Sequence, residues 1–183
     1  MKTSEAYNLL SRLRDQAVEF AESGGRVIKQ AGAARGIGFV VNGQRFYCEA
    51  DVIKEVANCQ NLIDVPQTKN WMRGMFNSKG VLYSVVDMGM LAGLERGITP
   101  NKGHLMLLGD IAGQSALLVN RVSGFRQFDF SSSGEVEKSD DRDAGWWDSL
   151  SAFVGDEVFD GDESWRYLDI SQLVGSEVFR EVQ

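Results

Sequence analysis

From residue 37 the chain alternates. Ile37, Phe39 and Val41 are apolar at every second position, Asn42-Gly43 intervenes, and Phe46, Cys48 and Ala50 resume the alternation. A period of two predicts half-buried strands. Asn-Gly between two such runs predicts a tight hairpin, because a type I′ turn needs positive φ at both central residues. Val52–Val56 reads as a further strand. Val81–Met88 is a run of β-branched and aromatic residues that reads as a buried strand. His104–Ile111 and Gln114–Val122 on either side of Ala112-Gly113 predict a second hairpin. Glu157-Val158-Phe159 and Trp165–Leu168 around Asp160-Gly161 predict a third. Asp169–Phe179, with Ile170, Leu173 and Val174 on one face, predicts a final helix. Several short strands at close spacing indicate small barrels or a sandwich.

Before this β-rich region the period differs. Ala6, Leu10, Leu13, Ala17, Phe20, Gly24, Val27 and Ala31 recur at alternating steps of four and three, one stripe on a helix that Ser4 can cap. Gly24-Gly25 weakens it by about 1 kcal/mol per glycine. Residues 1–34 therefore read as an N-terminal helical extension, lying on the domain's own surface or serving as a docking helix. Residues 35–183 read as the main domain. Inside it, residues 130–144 are polar, Ser-rich and acidic and read as an inserted loop. The apolar cluster of Trp146, Trp147, Leu150, Phe153 and Val154 follows at helical spacing.

Charge sharpens this division. The net charge of the 183 residues is −7, yet residues 129–163 hold twelve acids and two bases, a local −10, leaving +3 for the rest. An acidic balance disfavours nucleic acid and anionic lipid as partners. No run approaches the roughly 18 apolar residues of a membrane span, and the start of the chain carries no leader pattern. The expected location is the cytoplasm.

Signals for catalysis are poor. The one histidine, His104, heads an apolar strand and reads as structural. Gly113-Gln114-Ser115-Ala116-Leu117 lacks the closing glycine of a nucleophile elbow. Gly36-Ile37-Gly38 precedes a strand instead of joining a strand to a helix, so it is no dinucleotide fingerprint. Cys48 and Cys59 are too few for a disulfide framework or a four-Cys zinc site and read as small buried hydrophobes. The acids from Asp156 to Glu163 fail the calcium-loop pattern, since Val158 occupies a ligand position. No catalytic residue, metal site or cofactor is assigned. A binding role is favoured, with a hydrolase using Asp87 or the acidic cluster as the enzymatic alternative.

One segment is more specific. Val65-Pro66 leads to Trp71, then Gly74, Asn77 and Gly80, then the apolar strand ending Val85-Val86-Asp87. In physical terms it is an aromatic anchor, a tight turn at Gly74, a polar turn at Asn77–Gly80, and a buried strand ending in a carboxylate. Two cations, Arg73 and Lys79, bracket the turn. The segment resembles the signature of the CheW-like chemotaxis coupling proteins, which reads Val-Pro, Trp-x-x-Gly-x-x-Asn-x-Arg-Gly and Pro-Val-Val-Asp-Leu. The departures are Lys79 for Arg, Ser84 for Pro and Met88 for Leu. Lys79 keeps the charge but loses the planar fork of a guanidinium. The leading helix, acidic insert and tail from Trp165 to Leu173 look like the twitching-motility, PilI-like branch.

The resemblance implies two packed SH3-like five-stranded β-barrels, with an N-terminal helix and a short C-terminal helix added. It implies a non-enzymatic adaptor that couples a methyl-accepting chemoreceptor to a CheA-type histidine kinase, in the pathway controlling type IV pili. The implied partners are the kinase's regulatory domain and the receptor's helical tip, met at receptor arrays without membrane insertion. Carried over by position, Ile53 and Val56 would offer apolar contact in a receptor groove, Glu55 a rim charge and Lys79 the opposing cation, with Arg73 beside it. Trp71, Gly74, Asn77, Gly80 and Asp87 would be the structural signature. Ile53 and Val56 are three positions apart, so both face one side only if the strand bulges or ends there. A small-ligand-binding β-barrel is the alternative reading.

Overall fold

The computed structural model describes residues 33–109, 113–129, 148–160 and 163–180. The helix expected over residues 1–34, the acidic insert at 130–144, and Trp146 and Trp147 lie outside them, apart from residues 33 and 34, which open a strand.

Among the described residues, ten strands form two five-stranded sheets. They are β1 (Ala33–Val41), β2 (Gln44–Glu49), β3 (Ile53–Asn58), β4 (Met72–Ser78), β5 (Val81–Asp87), β6 (His104–Leu108), β7 (Ser115–Val119), β8 (Arg121–Asp129), β9 (Val154–Asp160) and β10 (Glu163–Leu168). The first sheet has the order β8-β1-β2-β10-β9 and the second β3-β6-β7-β5-β4. Both are mixed: β10 runs parallel to β2, and β7 parallel to β5. Helices are short: α1 (Met88–Leu91), α2 (Ile170–Gly175) and α3 (Glu177–Arg180).

The alternating segments form the expected strands, but β1 and β2 are not half-buried, since Gly36, Gly38 and Tyr47 on the other face are buried as well. Asn42 and Gly43 take φ of 47° and 84°, and β1 and β2 pair directly across them. β6 pairs antiparallel with β7, and β9 with β10. Several expectations are corrected. The Gln114–Val122 run is cut at Asn120, whose N–H donates to the Val40 carbonyl and whose Oδ1 accepts from the Asn42 N–H, so a separate strand, β8, follows. The C-terminal helix is two short ones: Ser176 is extended and its N–H bonds back to Leu173, closing α2. Gly74 is no turn but lies inside β4, next to a bulge at Arg73. Its φ is +120°, and an added Cβ would lie 2.3 Å from the Ile63 carbonyl oxygen. Ile63 and Met75 exchange both backbone hydrogen bonds at 2.8 Å, so the β3–β4 connection presses directly on this glycine.

Three apolar clusters hold the sheets. The largest lies between them and joins Ile37, Phe39, Phe46 and Cys48 of the first sheet to Met72, Val86, Met106, Leu108 and Leu117 of the second. Leu168, Ile170, Leu173 and Phe179 belong to it, so the C-terminal tail is core. Leu105, Leu107, Tyr83 and Val85 form a second cluster on the opposite face of the second sheet. Tyr47, Phe128, Val158 and Trp165 form a third in the first sheet. There the Arg126 guanidinium lies 4.8 Å from the centre of the Trp165 ring and pairs with Asp160, linking the edge strands β8 and β9.

Candidate functional site

The signature residues converge on one hairpin and its flanks. β4 and β5 pair from Met72 with Val86 to Ser78 with Val81. Their two-residue turn is Lys79-Gly80, with φ of 52° and 85°, a type I′ geometry. Asn77 Oδ1 accepts from the Gly80 N–H at 3.0 Å, which fixes the turn from inside the strand. Gly80 carries its positive φ without steric cost. Lys79 does not, because a Cβ in the left-handed region costs an ordinary residue on the order of 1 kcal/mol.

At the other end of the hairpin, Asp87 ends β5 and caps α1. Its side chain is 0% exposed. Oδ1 accepts from the N–H groups of Gly89 and Met90 at 3.0 and 3.1 Å, and Oδ2 from Ile98 at 2.7 Å. Arg73 Nη1 donates to Oδ2 at 3.2 Å. Burial pushes this carboxyl above the ordinary Asp range, against the lowering effect of the Met90 and Ile98 N–H groups, the Arg73 charge and the Gly89 N–H. The Asp87 N–H donates to the Trp71 carbonyl at 2.8 Å, and Trp71 is itself buried between the sheets. Trp71, Gly74, Asn77, Gly80 and Asp87 are thus each accounted for by a turn, a bulge, a cap or the core. Every acceptor site of Asp87 faces a donor, an arrangement suited to holding α1 and the loop before Ile98.

The residues expected in the groove divide. β3 is an edge strand, and its pairing with β6 shifts between Ile53 and Glu55: Ile53 faces Leu108, Glu55 faces Leu107, and Val56 faces Met106. That shift makes Lys54 an extra residue, and it turns Ile53 and Val56 to the same face, that of Leu108 and Met106, three positions apart though they are. Ile53 packs against the inter-sheet core, whereas Val56 is 41% exposed at the sheet margin. Glu55 is turned to the opposite face, where Lys79 Nζ reaches its Oε2 at 2.9 Å. The Lys79 side chain is 78% exposed. Ion pair and apolar pair therefore flank the same free strand edge from its two sides. Arg73 is not brought to them. It sits six residues from Lys79 along β4, roughly 20 Å at strand rise, and is engaged by Asp87.

His104 stands at the head of β6, opposite Asn58 and Val119. Among the described residues no group of three His, Cys, Asp or Glu side chains could hold a metal ion. No helix among them is long and apolar enough to cross a membrane.

The family model described as the CheW-like domain matches residues 35–178. The chain belongs to the CheW-like family. Its fold is similar to that of the scaffolding protein TtCheW from Thermoanaerobacter tengcongensis, a crystal structure with 16% identity and a TM-score of 0.58, the match covering 75% of this chain and 89% of that one. At that identity the likeness is one of fold. No curated protein matches the chain by sequence. For a CheW-like chain, the two five-stranded mixed sheets and the short helices are the expected framework. Sequence reasoning named a bulge only as a condition, and the bulge at Lys54 decides where Val56 points. That reasoning missed β4, because Gly74 read as a turn, whereas the polar turn read at Asn77–Gly80 is the Lys79-Gly80 turn that Asn77 fixes.

Proposed function

We propose that this CheW-like protein is a non-enzymatic adaptor that couples a methyl-accepting chemoreceptor to the regulatory domain of a CheA-type histidine kinase. Each five-stranded sheet is, in this reading, one of the family's two SH3-like barrels. The receptor's helical tip lies along the free edge of β3, with Ile53 and Val56 on one side of the strand and Glu55 and Lys79 on the other. The observation that carries the reading is the exposed Val56 at the same strand edge as the exposed Lys79–Glu55 ion pair, within a match to the family over residues 35–178. A helix laid against an apolar groove draws affinity from the buried aliphatic contacts and orientation from rim charges. Arg73, engaged with Asp87, supports the hairpin behind the site. The pathway proposed is the one that controls type IV pili, on the likeness of the tail from Trp165 to Leu173 to the twitching-motility branch, with recruitment to receptor arrays at the inner face of the membrane.

The test is affinity for a receptor-tip helix, measured with Glu55→Lys, Lys79→Glu and Val56→Asp. Each should lower affinity by about 1–3 kcal/mol while the thermal midpoint stays near that of the parent. Unchanged affinity, or a loss that merely follows stability, refutes the site. Failure to co-purify with any kinase regulatory domain refutes the coupling role.

A further inference from the structure

The β4–β5 hairpin buries one face and leaves part of the other open. Phe76, Val81 and Tyr83 turn into the second apolar cluster. On the opposite face Met75 stands beside Ser84, and Asn77 beside Leu82. Ile63 joins this face from the β3–β4 connection, because it pairs directly with Met75. Ile63 is 55% exposed and Leu82 44%, and Met75 beside them is only partly buried. The polar members are neutral: Ser84 donates its hydroxyl to Met75 Sδ at 3.6 Å, and Asn77 Oδ1 accepts from the Gly80 N–H. None of the five is charged, although 25% of the chain is. Lys79 at the hairpin tip is drawn away by Glu55, which stands on the face of Leu107, that of the second cluster.

An exposed apolar face of this kind marks an interaction surface. Its lack of charge indicates the partner. A two-fold contact between identical copies sets each group near its own counterpart, so any charge on the shared face meets a like charge. A charge-free face escapes that repulsion, in a chain whose net charge of −7 otherwise opposes self-association. We propose that this face is where a second copy of this chain packs isologously, Leu82 of one protomer against Ile63 and Met75 of its partner. The Asn77 and Ser84 side chains supply neutral hydrogen bonds at the rim. The contact lies at the β4 edge of the second sheet, whereas the receptor site lies at β3, its other edge, so the proposal does not rest on the adaptor reading.

The test is sedimentation equilibrium of the full chain from about 10 μM to about 1 mM, with nuclear magnetic resonance spectra over the same range. The weight-average mass should rise toward that of a dimer and no further, with a Kd of about 0.1–1 mM. Shifts that grow with concentration should centre on Ile63, Met75, Asn77, Leu82 and Ser84. Raising NaCl from about 50 to about 500 mM should strengthen association, because it screens the repulsion between two like-charged copies. Leu82→Glu sets a charge against its own copy and should weaken association by roughly tenfold or more. Ile63→Ser is the second variant, should the new charge disturb the hairpin. A monomeric mass at every concentration and salt, association weakened by salt, a mass that climbs past the dimer, shifts centred elsewhere, or indifference to both substitutions would each overturn the proposal. So would a chain that stays monomeric and covers this face only when a kinase regulatory domain is added. Val56→Asp should leave association intact, so the fate of this surface is read separately from that of the receptor site.

Discussion

A single buried carboxylate organises one end of the signature hairpin. Asp87 satisfies three backbone N–H groups at the start of α1 and at Ile98, and neutralises Arg73 from inside the protein. Replacing it with Ala strands those donors and leaves a partly buried guanidinium without its partner. Asp87→Ala should therefore cost on the order of 3 kcal/mol in denaturant unfolding. A loss below about 0.5 kcal/mol would mean that solvent satisfies the donors. Cys59 lies close enough to feel Arg73 and Asp87, but burial dominates and pushes its thiol up. Cys48 is buried too, with its Sγ 3.9 Å from the Ile37 carbonyl. Neither thiol should react with Ellman's reagent at pH 8 in the native protein, and both should titrate in 6 M guanidinium. Prompt native labelling would show that one of them is reached through local opening.

Elements are set by where the backbone must do something unusual. The Lys79-Gly80 turn demands positive φ twice and gives the first position to a lysine, although asparagine suits it better. Lys79→Asn should hold or raise the thermal midpoint, because relief of turn strain offsets an exposed ion pair worth about 0–1 kcal/mol. Receptor-tip affinity should fall at the same time. A parallel fall in both quantities would instead give Lys79 a structural role. The opposite case is Gly74, where a side chain has neither conformation nor space. Gly74→Ala should cost about 2–4 kcal/mol by forcing β4 away from Ile63. Turn residues were legible from the sequence where a polar residue and glycine fall together, as at Asn42-Gly43 and Asn77–Gly80. A glycine inside a strand looks the same as one in a turn until its neighbour across the bulge is known.

At the scale of the whole molecule, the last strand joins β9 to the rest of the first sheet. β10 sits between β2 and β9, and Trp165 at 1% exposure and Leu168 carry it into two clusters. Removing residues 163–183 takes away this strand along with α2 and α3. It should abolish cooperative unfolding and make the chain aggregate. A soluble truncation with a sharp melt would show that the tail is dispensable. Within the same sheet, burial separates two phenylalanines three positions apart on β8. Phe128→Ala should cost about 3–5 kcal/mol. Phe125, 77% exposed, should accept Ser within about 0.5 kcal/mol.

The sequence by itself determined the strand-rich class, the hairpin at Asn42-Gly43, the pairing of β9 with β10, the burial of both cysteines, and the signature from Trp71 to Asp87. These follow from local period, turn chemistry and a spaced motif, all of which are written within a few residues. Tertiary structure decided which strands beyond the hairpins lie side by side. The parallel partners of β2 and β5 are distant in sequence, and no local pattern encodes a partner that far along the chain. It also decided the candidate site. A period of two would set Ile53 and Val56 on opposite faces, but one extra residue against β6 reverses every later side chain of β3 and turns Val56 to the face of Ile53. Register is a property of two strands together, so one strand's sequence does not contain it.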